Sequence, residues 1–154
     1  MIPRIARGKR LAAIAMVLGV TLLAPALAGA GKAQNGLYSG ASTNTPSGAD
    51  EVKIKFRVAK GGTRIKKWKT ELIVHCPALG FHPLIHVPMP TMKVKRNGRF
   101  STEVPSEPGL PGKIKVRGKL VAKRVKEGTF SYQSRVCQRG VPEPIRWKAK
   151  RVRG

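Results

Sequence analysis

Acidic residues are scarce. The 154-residue chain has 7 Asp and Glu against 31 Lys and Arg. Asp50 is the sole aspartate, the glutamates are scattered, and Glu103 and Glu107 flank Pro105. Acid–base and nucleophilic catalysis needs a nucleophile, a base and an orienting group that can be brought together. No G-x-S-x-G, H-E-x-x-H or phosphate-loop pattern is present. No catalytic residue and no cofactor are therefore assigned, and the chain is not expected to be an enzyme. Aromatic residues make up only 5% of the chain and form no RNP-like motif, so specific nucleic-acid readout is not expected. Only two cysteines occur. There is no internal repeat, and no stretch of convincing helical periodicity.

The N-terminus has the three-part order of a secretory signal peptide. Arg4, Arg7, Lys9 and Arg10 form a positive region, Leu11 to Leu23 is uncharged and apolar, and Pro25 interrupts it. Two overlapping small-x-small sites follow, Ala26-Leu27-Ala28 and Ala28-Gly29-Ala30. Leu11 to Ala30 is long enough to cross a bilayer, so a retained anchor competes, but Pro25 and the Ala-x-Ala sites favour cleavage after Ala28 or Ala30. No Cys lies near the site, which excludes a lipoprotein anchor, and the lack of an Arg-Arg pair favours Sec export. The expected organisation is a signal peptide over 1–30, a polar leader over 31–35 and one basic domain over 36–154. Secretion or an envelope location follows, with no membrane span after cleavage. In that compartment Cys76 and Cys137 read as one disulfide.

Along the remaining chain the dominant period is two. Val52, Ile54, Phe56 and Val58 alternate with Lys53, Lys55 and Arg57, which predicts a half-buried strand. Lys60-Gly61-Gly62 reads as a turn. Trp68, Thr70, Leu72, Val74 and Cys76 share a phase that Ile65 does not, so a bulge is expected near Lys66. Pro77 to Pro90 contains four prolines and reads as a loop, or an edge strand at best. Met92 and Val94, then Phe100, Thr102 and Val104, flank Asn97-Gly98, which predicts a type I′ hairpin. Pro105 to Gly112 is a loop. Ile114, Val116, Gly118 and Leu120 form the next strand, and Glu127-Gly128 is expected to turn the chain. Phe130, Tyr132, Ser134 and Val136 share a phase that ends near Cys137. Arg139 to Pro144 is a loop, and Ile145, Trp147 and Ala149 finish the domain. Seven or eight short strands without helices predict an all-β fold: a small antiparallel sandwich or partly closed barrel, with Trp68 and Trp147 in its core.

Several short motifs occur in order: Gly36-x-Tyr38-x-Gly40, Phe56 in an alternating strand, a long strand ending in Cys76, Gly98-x-Phe100-Ser101, Gly118-x-Leu120, Gly128-Thr129-Phe130, Cys137 and Trp147-x-Ala149-x-Arg151. In these the chain resembles a group of small secreted β-domains from high-GC Gram-positive bacteria for which no function is established. The resemblance spans Gly36 to Arg151. It implies fold and compartment and assigns no catalytic residue. The Pro-rich, His-containing segment Pro77 to Pro90 departs from it.

Two groups of residues carry possible chemistry. His75, Cys76, His82 and His86 are of zinc-ligand type and fall close together. Pro83 opposes a helix there and Cys76 is claimed by the disulfide, so no metal site is expected and the three histidines are weak candidates only. The second group is basic. Lys53, Lys55 and Arg57, Lys67 and Lys69, Lys93 and Lys95, Lys113, Lys115, Arg117 and Lys119, and Lys148 and Lys150 all take the outward phase of predicted strands. Without the four N-terminal cations, 27 Lys and Arg face 7 acids, about +20. Such a field attracts polyanions, and the predominance of Lys suits diffuse attraction better than bidentate phosphate recognition. The expected partner is an anionic cell-surface polymer or another polyanion, bound by these cations collectively. The alternative is a protein-interaction domain with incidental charge, using Pro77 to Pro90. Leu79, Phe81, Leu84, Ile85, Val87 and Met89 in that segment are expected to fold back onto the core rather than form an exposed patch. Oligomeric state is not legible in the sequence.

Overall fold

The computed structural model describes residues 32–45 and 51–153. The expected signal peptide lies outside the described residues. Ten strands follow in chain order: β1 Gly36–Ser42, β2 Lys53–Ala59, β3 Arg64–Ile73, β4 Leu84–Met89, β5 Met92–Lys93, β6 Arg99–Pro105, β7 Lys113–Val121, β8 Arg124–Gln133, β9 Gln138–Arg139 and β10 Ile145–Arg151. A 3-10 turn spans Pro77–Leu79. No helix among the described residues is long and apolar enough to cross a membrane.

The strands form one antiparallel sheet in the order β4-β3-β2-β1-β10-β8-β7-β6, with β5 on β3 and β9 on β8. β4 and β5 pair with successive halves of β3, so they act as one strand interrupted at Pro90. The path is then an eight-stranded up-and-down meander whose first and last strands pair, β1 with β10. That curls the sheet into a nearly closed barrel. Between β4 and β6 the ladder is open. The gap narrows at the turn end, where the Lys95 N–H donates to the Arg99 carbonyl at 2.8 Å.

Alternation sends every second side chain inward. Tyr38, Ile54, Phe56, Trp68, Phe130 and Trp147 fill the interior with their neighbours as one contiguous core. Tyr38 stacks on Phe56 and Phe56 on Trp68, with ring centroids 5.3 and 5.1 Å apart, and Trp147 meets Trp68 edge-on at 5.5 Å. Small residues make room for them. Gly118 lies opposite Phe100 and Gly128 opposite Trp147 in register. A Cβ on either would fall within 2.6 Å of the facing ring. Thr70, a buried polar residue, accepts the Trp68 Nε1–H at 2.6 Å. The Tyr38 hydroxyl reaches the Gln34 and Ala122 carbonyls, tying the chain before β1 to the β7–β8 turn. Burial pushes its ionisation above the usual phenol range, against the pull of Arg151 and the Gln34 bond.

The connections over 74–83, 106–112 and 134–144 all leave the barrel at one end. There the chain after β3 bridges β9 through His75 and Gln138, and Cys76 and Cys137 form the disulfide. A crosslink between residues 61 apart removes loop entropy from the unfolded chain worth about 4 kcal/mol.

One strand is not marked by the alternation, and three local expectations change. β1 carries Gly, Ser and Ala with almost no hydrophobic alternation, yet it is a central strand. Its register between β2 and β10 is satisfied by backbone hydrogen bonds and the single inward Tyr38. Glu127-Gly128 is not a turn: the chain reverses at Ala122-Lys123, with Ala122 at φ 49°. Glu127, at φ 53°, and Gly128 form a bulge inside β8 that lets Trp147 pass. Asn97-Gly98 is a hairpin of a different type. Only Gly98 has positive φ, 79°, and its N–H bonds the Lys95 carbonyl, so a type I turn closed by a left-handed glycine replaces type I′. β8 ends at Gln133, and the chain turns through Ser134 to pair back as β9. The bulge near Lys66 is present, with Lys67 at φ 51°.

The cationic outer face as candidate functional site

With an apolar interior, the intervening positions of each strand emerge on the outside. On β2 these are Lys53, Lys55 and Arg57, and on β10 Arg146, Lys148 and Lys150, all exposed. Between them β1 presents only Leu37, Ser39 and Ala41 outward. The register sets Ser39 opposite both Lys55 and Lys150, and Ala41 opposite both Lys53 and Lys148. Lys69 extends the first row beyond Lys55, and Arg124 extends it beyond Lys150. Read across five strands, that row is Lys69, Lys55, Ser39, Lys150 and Arg124, with four cations and no acid. Like charges in cross-strand register repel. Further cation pairs are Arg57 with Lys66, Lys119 with Lys126, Arg99 with Lys119, and Arg64 with Lys93.

The β8 bulge dents this face. A shallow depression of about 700 Å³ lies over β1, β10 and β8, lined among others by Ser39, Arg124, Lys126, Glu127, Lys148 and Lys150.

Acids are distributed unevenly around the barrel. Among the described residues the ion pairs are Arg99 with Glu127 at 3.7 Å, and Lys113 and Lys115 with Glu103 at 3.5 and 3.4 Å. All sit on β6, β7 and β8. Desolvation pushes the Glu103 carboxyl up, but the hydrogen bonds and charges of Lys115 and Lys113 together outweigh it and hold the group below the usual range. Lys53, Lys55, Arg57, Lys69, Arg124, Lys126, Lys148 and Lys150 have no ion-pair partner among the described residues.

The thirteen cations expected from the sequence therefore fall into separate groups. Lys53, Lys55, Arg57, Lys69, Lys148 and Lys150 share the face centred on β1. Lys113 and Lys115 are bridged by Glu103. Arg117 and Lys119 lie on β7 beside Ser101 and Arg99. Lys93 and Lys95 sit near the β5–β6 turn, and Lys67 occupies the β3 bulge. Arg146, which alternates with Ile145 and Trp147 in the sequence, joins this surface although it is not among the thirteen, and Arg124 and Lys126 belong to it but escaped the sequence pattern. Placing the turn at Glu127-Gly128 hid Arg124 and Lys126, whose basic character was the available signal. Ser39 carried no signal at all.

The histidines divide. His75 and His82 stack with Nδ1 atoms 3.0 Å apart and centroids 4.7 Å apart, a distance that suits one N–H donating to the other ring's lone pair. His86 lies on β4 opposite Glu71, and His82 precedes that strand. No group of three or more His, Cys, Asp or Glu side chains assembles among the described residues. The Pro77–Pro90 segment also divides. Val87 and Met89 are buried in the core and Ile85 packs against it, so the second half is an edge strand. Leu79, Phe81 and Leu84 stay 49%, 50% and 55% exposed, and for them the expectation of folding back is wrong. Leu84 faces outward across from Ile73, and Leu79 and Phe81 lie in and beside the 3-10 turn, where no strand covers them.

The chain matches no protein-family model, no curated protein and no solved structure.

Proposed function

We propose that this is a non-enzymatic, secreted or envelope-associated barrel domain that binds anionic polymers through its outer surface. One observation carries the reading: a cationic face over β3, β2, β1, β10 and β8 whose central row, Lys69, Lys55, Ser39, Lys150 and Arg124, holds four cations and no acid, with Glu71 opposite Lys53 and Glu127 beside Lys126 at its margins. Proteins usually intersperse charges of both signs. Here the repulsion is relieved by counterions or by a polyanion, and displacing counterions drives polyanion binding. A disulfide is the usual mark of an oxidising compartment, which supports export. The test is co-sedimentation of purified protein with isolated cell envelopes and with a generic polyanion over a salt series. Binding at low salt that disappears as salt is added is the expected result. Absence of binding at low salt would overturn it.

The exposed Leu79, Phe81 and Leu84 favour a second reading, docking of a protein partner at the disulfide end of the barrel. It predicts salt-insensitive binding that a Phe81→Ser, Leu84→Ser variant loses.

A further inference from the structure

Around β1 the outer face has the form of a trough. Its floor is uncharged and narrow, made by Leu37, Ser39 and Ala41. One wall is Lys53, Lys55 and Arg57 of β2, and the other is Arg146, Lys148 and Lys150 of β10. Strands lie about 4.8 Å apart, so the walls rise from backbones roughly 9.6 Å apart. That accepts a single extended chain and is too narrow to seat a nucleic-acid duplex, whose major groove alone is about 12 Å wide. Along each wall the cations recur every second residue, about 6.8 Å. The spacing matches successive phosphates along an extended phosphodiester chain with a three-carbon repeat. Inorganic polyphosphate packs its charges more closely, and alternating uronic-acid polymers space theirs more widely.

Two further features narrow the ligand. The trough exposes no aromatic ring: Tyr38, Phe56, Trp68 and Trp147 all face inward and are buried. Single-stranded nucleic acids are held by base stacking on exposed aromatics as well as by charge, and that platform is missing. On its β10 side the trough widens into the depression over β8, where Arg124, Lys126 and one acid, Glu127, join Lys148 and Lys150, with the Ser39 side chain on its floor as a hydroxyl donor. Hydroxyl and ammonium donors are what phosphate oxygens accept from. The widening leaves room for the substituents of a polyol unit.

Building on the polyanion reading above, we infer that β1 is the track of a linear polyol-phosphate polymer. One extended chain lies along β1 with its phosphates between the β2 and β10 walls, anchored where Arg124 and Lys126 add to them.

Two triple variants that remove equal charge test this. Lys55→Gln, Lys148→Gln, Lys150→Gln removes three of the six wall cations. Lys113→Gln, Lys115→Gln, Lys119→Gln removes three cations from β7. Both sets are surface positions, and circular dichroism checks folding. A single pair controls for net charge more finely, Ser39→Glu in the trough against Ser101→Glu on β6. The probes are a poly(glycerol phosphate) oligomer and an oligothymidylate with the same number of phosphodiesters, titrated at low salt. The inference predicts at least a tenfold loss of glycerol-phosphate binding in the trough triple variant and in Ser39→Glu. The β7 variant and Ser101→Glu should lose threefold or less. It also predicts that the oligothymidylate binds no more tightly than the glycerol phosphate. Equal losses in both triple variants would overturn the trough while leaving polyanion binding standing. Tighter binding of oligothymidylate would overturn the ligand. Binding of neither probe, nor of any polyanion, would overturn the function from which the inference starts.

Discussion

Thr70 shows how one polar atom is accommodated in an apolar interior. Its hydroxyl is wholly buried and accepts the Trp68 indole N–H at 2.6 Å. Val has nearly the same shape but no acceptor, so Thr70→Val would strand that N–H in the core. The expected loss is about 1–3 kcal/mol, the desolvation penalty of an unsatisfied buried donor. It should appear as a lower urea midpoint with an unchanged slope, and Thr70→Ser should recover most of it. The second tryptophan provides a contrast. Trp147 Nε1 is buried with no partner among the described residues, so its place in the core rests on ring packing against Trp68, Phe56 and Phe100. In both cases the sequence marked the residue as core. Neither the acceptor for Trp68 nor its absence for Trp147 was legible, because each depends on where neighbouring side chains end in space.

At the level of elements, turns and bulges decide where the strands run. Gly98 is required twice over. Its φ is 79°, and a Cβ would sit 2.2 Å from the Leu120 carbonyl oxygen, in the segment where the Leu120 N–H bonds the Gly98 carbonyl. Gly61 has a similar φ of 64° with open space where a Cβ would stand. Gly61→Ala should therefore lose only the left-handed penalty, about 1 kcal/mol. Gly98→Ala should lose more, up to about 3 kcal/mol of backbone strain, and should speed hydrogen exchange at the Leu120 amide. Thermal unfolding of the two variants side by side measures the difference. Turn positions were read from dipeptides with unequal success. Asn97-Gly98 and Gly61-Gly62 do sit in turns, whereas Glu127-Gly128 is a bulge in β8. A glycine dipeptide signals a residue that needs positive φ or close approach. It does not say which, and at Gly128 the cause was a tryptophan from another strand.

For the molecule as a whole, charge and topology act against each other. Closing the barrel brings Lys55 beside Lys69, Arg57 beside Lys66, Lys150 beside Arg124 and Lys119 beside both Lys126 and Arg99. The unfolded chain holds these cations farther apart. Screening should therefore stabilise the native state: the Debye length falls from about 30 Å at 0.01 M salt to about 8 Å at physiological strength. The melting temperature should rise by several degrees when sodium chloride replaces low-salt buffer, as followed by circular dichroism. Most proteins with balanced surface ion pairs would change little or lose stability. The trough triple variant removes two of these opposed cations, Lys55 and Lys150, together with Lys148; it should melt higher than the parent at low salt and gain less from added salt.

The period-two alternation, the cation-rich outward phase, the all-β class and the cysteine pair were determined by the sequence alone, because each depends on neighbours in the chain or on the pairing of just two thiols. Tertiary structure alone decided the rest. β1, with its Gly, Ser and Ala, became a central strand only because β2 and β10 offered free backbone donors and acceptors on either side. Pairing the first strand with the last turned a meander into a barrel, and it put Lys53, Lys55 and Arg57 across from Arg146, Lys148 and Lys150, more than eighty residues away. Which lysines stand unpaired was settled the same way, by Glu103 falling within ion-pair distance of Lys113 and Lys115 and no described acid doing so for the lysines that flank β1. Strand alternation is a local steric property, whereas strand adjacency is a long-range choice of hydrogen-bond partners, and the surface charge pattern follows adjacency.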